Sequence, residues 1–176
     1  MGRKDVVLKS FKLFEEPDVK VRTPYYHMSD NEKLSIEKFP FITTNRAEFK
    51  IDCIIRDKEL ELSGIIPKGF CYNFADIPWV VEPLSYDKHS PFVKDASCIH
   101  DYLISRKRRL YEEWELKEKG ITPEDFRVLT SLVFAYQLQY NGVPYGKAKL
   151  MAFFVDLWQT VLPSWRTLDK TEIELW

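Results

Sequence analysis

Two different hydrophobic periods divide the chain. In EFKIDCIIRD, Phe49, Ile51, Cys53 and Ile55 alternate with Glu48, Lys50, Asp52 and Ile54. That period of two gives a strand one apolar face. Arg56-Asp57-Lys58 reads as a turn, and ELELSGII follows with Leu60 and Leu62 on one side, so the pair predicts a β-hairpin. VVLKSFKLF and VKVRT are shorter strand candidates upstream, and YYHMSDNEK, between Pro24 and Pro40, reads as loop.

Beyond residue 90 the period changes to that of a helix. Ser90-Pro91 is a cap followed by proline at the first helical position, and Phe92, Ala96, Ile99 and Leu103 follow on one stripe. Thr122-Pro123-Glu124-Asp125 opens a second helix with an Asp version of the capping box. Its buried face is expected from Phe126, Leu129, Leu132, Val133 and Tyr136, and Asn141-Gly142 ends it. A third runs from about Tyr145 to Val161 with Ala148, Met151, Ala152, Val155 and Trp158 on its stripe, and Pro163 closes it. Between the first two lies RKRRLYEEWELKEKG, residues 106–120, which either extends the helix or forms a solvated arm. Arg106 to Arg109 have the charge to touch phosphate, but the favoured reading is a solvated helix end, where the C-terminal dipole welcomes basic residues. Strands first and about three helices afterwards predict an α+β fold, antiparallel N-terminal strands covered by helices. A chain of 176 residues fits this as a single domain over 1–176, with strands in the first 45 residues and a tail from 164 to 176.

Composition narrows the classes. Aromatics make up 15% of the chain, with twelve Phe, nine Tyr and five Trp, so large rings are expected in the core or at an interface. A formal net charge of −1 gives no sign of a nucleic-acid binder. No apolar run approaches the roughly 18 residues of a membrane span. The N-terminus MGRKDVVLKS has no signal-like apolar run, and Val6 stands where a myristoylation signal needs Ser or Thr. Cys53, Cys71 and Cys98 are odd in number and lack metal-like spacing, so they read as reduced thiols of a protein made in a cytoplasm.

The candidate chemistry lies where the two halves meet. In IPKGFCYNFADIPWVVEPL, residues 66–84, Pro67-Lys68-Gly69 is a turn, Phe70 and Phe74 are expected to pack inward, and Asn73 and Asp76 sit among apolar groups. A buried polar group left without a partner costs about 1–3 kcal/mol, so both need one. They serve either as turn caps or as site residues. His100 and Asp101 stand side by side within SCIHDYLI, with His100 bordering the apolar stripe and expected half-buried. The other histidines, His27 and His89, lack the helical setting that an HD phosphohydrolase requires. Cys98 reads as packing, and no Gly-x-Ser-x-Gly nucleophile turn is present.

These motifs carry a resemblance. Gly69-Phe70-Cys71-Tyr72-Asn73-Phe74-Ala75-Asp76-Ile77-Pro78, followed by His100-Asp101-Tyr102-Leu103, resembles a phage and prophage family catalogued as domain of unknown function 1353. Its first motif is Gly-Phe-x-Thr-Asp-x-Ala-Ser-x-Pro and its second is His-Asp-x-x-Tyr or close to it. Glu124-Asp125 falls where the family tends to carry Ala-Asp at a helix head, and Lys149-Leu150-Met151 begins the counterpart of its final helix. Here Tyr72-Asn73 replaces the Thr-Asp, and Asp76 replaces the Ser. The likeness spans about residues 60–165.

The resemblance implies a phage-encoded accessory protein, a tail or neck component of a virion. It would be made in the host cytoplasm and would contact other phage structural proteins through its aromatic surface and the tail Ser164–Trp176. A second reading is a metal-dependent hydrolase acting on a cell-wall peptide or a nucleotide, with His100 as ligand or base and Asp101, Asp125 and Asp76 as ligands or orienting groups. One imidazole and several carboxylates suit a divalent metal or a general base. They equally suit a buried polar network that locks the strands to the helices.

Overall fold

A computed structural model describes residues 5–24, 26–73, 90–161 and Leu168. The fold is α+β, with antiparallel strands in two small sheets towards the N-terminus and five helices among the described residues. The first sheet has the order β1-β4-β5, built from β1 (Val6–Leu13), β4 (Ala47–Ile55) and β5 (Lys58–Ile66). The predicted period of two is realised on β4, where Ala47, Phe49, Ile51, Cys53 and Ile55 are all buried. Ile51 stands opposite Leu62 on one side and Phe11 on the other. The opposite face is polar, with Lys50 Nζ 2.6 Å from Glu61 Oε2 and the Ser10 hydroxyl donating to Asp52 at 2.6 Å.

The second sheet, β2-β3-β6, is made of β2 (Val19–Val21), β3 (Phe41–Thr43) and β6 (Cys71–Tyr72). Thr43 organises the approach to β6. Its hydroxyl donates to Pro67 O at 2.8 Å and accepts from Phe70 N–H at 2.9 Å, and its carbonyl accepts from Gly69 N–H. Gly69 has φ +86°, a conformation that glycine adopts without a Cβ penalty.

The region read as loop around Ser29 is instead α1 (Asp30–Lys38). Ser29 accepts from Glu32 N–H while the Glu32 carboxylate accepts from Ser29 N–H, a complete capping box. The helix buries only Ile36, so the apolar periodicity is too faint to reveal it.

In the second half, α2 is Pro91–Ser105, α3 Lys107–Glu113, α4 Pro123–Tyr140 and α5 Tyr145–Val161. Ser90 and Thr122 cap α2 and α4 as expected, the latter in a box with Asp125. The stripes differ in detail. Phe92 is exposed, and Val93 takes the core position at the start of α2. Tyr136 and Trp158 are exposed as well, and on α5 the polar Asp156 and Gln159 are buried instead. The charged stretch 106–120 is no free arm. Leu110, Tyr111, Trp114 and Leu116 are buried, Trp114 Nε1 donates to Ser63 O at 2.8 Å, and Arg108 and Arg109 pair with Glu112 and Glu113 one turn along. None of the described helices is long and apolar enough to cross a membrane.

Candidate functional site

Helix α2 sits between the second sheet and α4, and it is buried on nearly every side. Ser97, His100 and Asp101 follow at i, i+3 and i+4, which places them on one face. His100 is fully buried, not half-buried, and Asp101 is 4% exposed. The imidazole lies against Phe134 of α4, ring centres 5.1 Å apart. Its Nδ1 is 3.6 Å from Asp101 Oδ1, close for Coulomb attraction but long for a hydrogen bond. Ser97 Oγ, both ring nitrogens of His100 and Asp101 Oδ2 have no hydrogen-bond partner. Each such group costs about 1–3 kcal/mol when buried, so their concentration on one helix face marks a place where packing has yielded to another demand.

The segment bearing the first motif reaches the same place. The Tyr72 hydroxyl donates to Lys94 O at 3.3 Å, and the Tyr72 ring is stacked on Phe70. Burial raises the Asp101 pKa, opposed by the His100 imidazole and by the backbone N–H of Asn73, which faces the carboxylate. Burial dominates because a carboxylate removed from water loses more hydration than one neighbouring amide restores. Cys98, one residue from this face, is buried and its thiol is pushed well up, which makes it a poor nucleophile. Asp95, one turn before Ile99, has its carboxyl pushed up to about 6, again by burial.

Asp125 is engaged elsewhere. Its Oδ2 accepts from Thr122 N–H at 2.9 Å and from the Thr122 hydroxyl at 2.7 Å, and lies 2.9 Å from Arg56 Nε. It stands nine residues before Phe134, roughly 13 Å along α4 from the turn that meets the imidazole. Its role here is to cap α4 and hold the β4–β5 turn. Among the described residues, no three His, Cys, Asp or Glu side chains are placed to hold a metal ion, so His100, Asp101 and Asp125 do not form such a set. Asp76 and Pro78 of the first motif, with Phe74 and His89, lie outside the described residues, while Gly69, Phe70 and Asn73 lie within them. His27 is exposed beside Tyr26.

A second feature escaped the sequence reading. β1, α4 and α5 enclose an apolar groove of about 980 Å³ lined by Val7, Leu132, Tyr136, Tyr145, Leu150 and Phe153 among others. Ser131 and Asp156 also line it. Asp156 is ion-paired with buried Arg127 and accepts from the Ser131 hydroxyl at 3.2 Å, which ties α5 to α4. The readable signal was a lone acid in an otherwise uncharged helix after Lys149, since a buried charge demands a partner. Of the C-terminal tail, Leu168 is described, and it packs on this chain's own core next to Tyr111 and Arg108.

Fold and site together define an α+β protein in which the strand after the glycine-phenylalanine turn packs on the His-Asp helix and brings the Asn73 backbone to Asp101. The chain belongs to the family described as protein of unknown function (DUF1353), whose profile matches residues 48–155. The match takes in the β4–β5 hairpin from Glu48, the second residue of β4, and ends within α5, and so begins earlier than the motifs alone suggest. No curated protein and no solved structure matches the chain.

Proposed function

We propose that the chain is a phage-encoded accessory protein, a structural or interaction component of a virion tail or neck that works by contacting other proteins. The observation that carries this reading is the outer side of α5. Leu150, Phe153, Leu157, Trp158 and Val161 are exposed there with no charged residue among them, and the groove beside Leu150 and Phe153 continues the apolar surface. Apolar surface gathered in one place marks contact sites, and large aromatic anchors dominate their energetics. The test is mass spectrometry of purified particles of the phage or induced prophage that encodes the chain. The expected result is the chain at a fixed, integral stoichiometry. Its absence from intact particles overturns the reading.

A hydrolase acting on a cell-wall peptide or a nucleotide is the second reading. It is favoured by Ser97 Oγ, both His100 ring nitrogens and Asp101 Oδ2, which lie on one face of α2 without hydrogen-bond partners. Here His100 is the base or a metal ligand and Asp101 orients it, since a carboxylate beside an imidazole stabilises the imidazolium formed during proton transfer. The purified chain is incubated with peptidoglycan fragments and with nucleotides, with and without divalent cations, alongside elemental analysis. Turnover that vanishes in His100→Leu supports this reading. Absence of turnover and of bound metal removes it.

A further inference from the structure

We infer that the outer face of α5 is a self-association surface, occupied by the α5 of a second copy running antiparallel. The inference rests on the reading of this face as an interaction surface and names its partner.

The inward side of α5 is satisfied by Ala148, Met151, Ala152 and Val155. Its outward side repeats the apolar spacing of a helix seam, with Leu150, Phe153, Leu157 and Val161 separated by three, four and four residues. A helix that is apolar on both sides is built to be covered on both, and a three–four spacing is the seam that packs against another helix.

Charge selects a second copy and its direction. The cations of α5, Lys147 and Lys149, lie in its first two turns, and its last turn carries no basic residue. That order opposes the helix's own dipole, which favours cations at the C-terminus. An antiparallel copy reverses the mismatch: the lysines of each helix meet the partially negative C-terminal end of the other.

Shape agrees with charge. Tyr145, Gly146, Lys149 and Leu150, in the N-terminal half, line the groove, whereas Leu157 and Val161, in the C-terminal half, stand outside it as exposed knobs. An antiparallel pair with its two-fold axis beside Phe153 seats the knobs of each helix in the groove of the other. Val161 then meets Gly146, which has open space where a Cβ would stand. Leu157 meets Leu150, both exposed on the seam. An isologous contact of this kind closes on itself and stops at a dimer.

Sedimentation velocity of the full chain tests this. The expected species is a dimer. Leu157→Glu, at an exposed position where the fold tolerates the change, is expected to raise the dimer dissociation constant by about 100-fold or more. Lys149→Glu is expected to weaken the dimer less, in a salt-dependent way. Phe153→Cys is expected to give an intersubunit disulfide with diamide as the two-electron oxidant, while Leu34→Cys, exposed on α1, gives none. A chain that stays monomeric at about 100 µM overturns the inference. So does a dimer that survives Leu157→Glu without the Phe153→Cys cross-link. A monomer found in virions ends this inference and leaves the particle reading standing, whereas a dimer absent from virions does the reverse.

Discussion

Arg127 of α4 and Asp156 of α5, 29 residues apart, form a buried ion pair at the floor of the apolar groove, and the Asp156 backbone carbonyl accepts a second bond from the same guanidinium at 2.9 Å. Removing one member of such a pair leaves the other charge uncompensated. Asp156→Ala is therefore expected to lower stability by about 3–5 kcal/mol, whereas the apolar double replacement Arg127→Met with Asp156→Leu recovers most of that loss. Urea unfolding of the three proteins measures both. A single variant within 1 kcal/mol of the parent would show the pair to be dispensable.

Gly64 on β5 stands opposite Phe49 on β4, and the phenyl ring lies over it: a Cβ at Gly64 would fall 2.4 Å from Phe49 Cζ. The ring is 1% exposed and cannot swing aside without opening the core. Gly64→Ala is expected to cost about 1–3 kcal/mol through overpacking. Pairing it with Phe49→Leu should return part of the loss, which a double-mutant cycle measures as coupling.

Asp95 binds its proton more tightly folded than unfolded, because its carboxyl is pushed from 3.8 up to about 6. Its contribution is fully present below about pH 3.8, and it is lost as the pH rises through about 6. Asp95→Asn is expected to gain roughly 2 kcal/mol over the parent at pH 7, after discounting for partial exposure, and almost nothing at pH 4. The measurement is the difference between denaturation midpoints of parent and variant at the two pH values. An equal difference at both would remove Asp95 as its source.

His100 makes no hydrogen bond through either ring nitrogen. Replacing an unsatisfied buried group by an apolar one of similar shape removes a penalty, so His100→Leu is expected to leave stability unchanged or raise it by about 1–3 kcal/mol. A fall of comparable size, measured by thermal unfolding, would assign the imidazole to the architecture. A gain accompanied by loss of particle incorporation or turnover would assign it to function.

Sequence legibility followed the strength of local signals. The β4–β5 hairpin, the caps at Ser90 and Thr122 and the end of α4 were readable because alternation, capping residues and Asn141-Gly142 act over a few positions. Helix α1 was missed although Ser29 and Glu32 form a capping box, because only Ile36 supplies an apolar stripe. β3 and β6, three and two residues long, are too short to show a period. The depth of His100 was underestimated because α2 is enclosed by both the second sheet and α4, which its own stripe does not reveal. Asp125 was grouped with His100 on composition, but Arg56 and Thr122 claim it, and that partnership emerges only once the hairpin turn is set beside the start of α4.

That turn constrains how the protein can change. Arg56 and Asp57 both have positive φ, 50° and 63°, where glycine or asparagine would sit with less strain. Asp57 is thus open to replacement by glycine, and selection for thermal robustness should find it. Arg56 is not, because its guanidinium is the latch on Asp125, and relaxing the backbone there unfastens the hairpin from α4. Two adjacent residues with the same backbone conformation therefore face opposite evolutionary pressures.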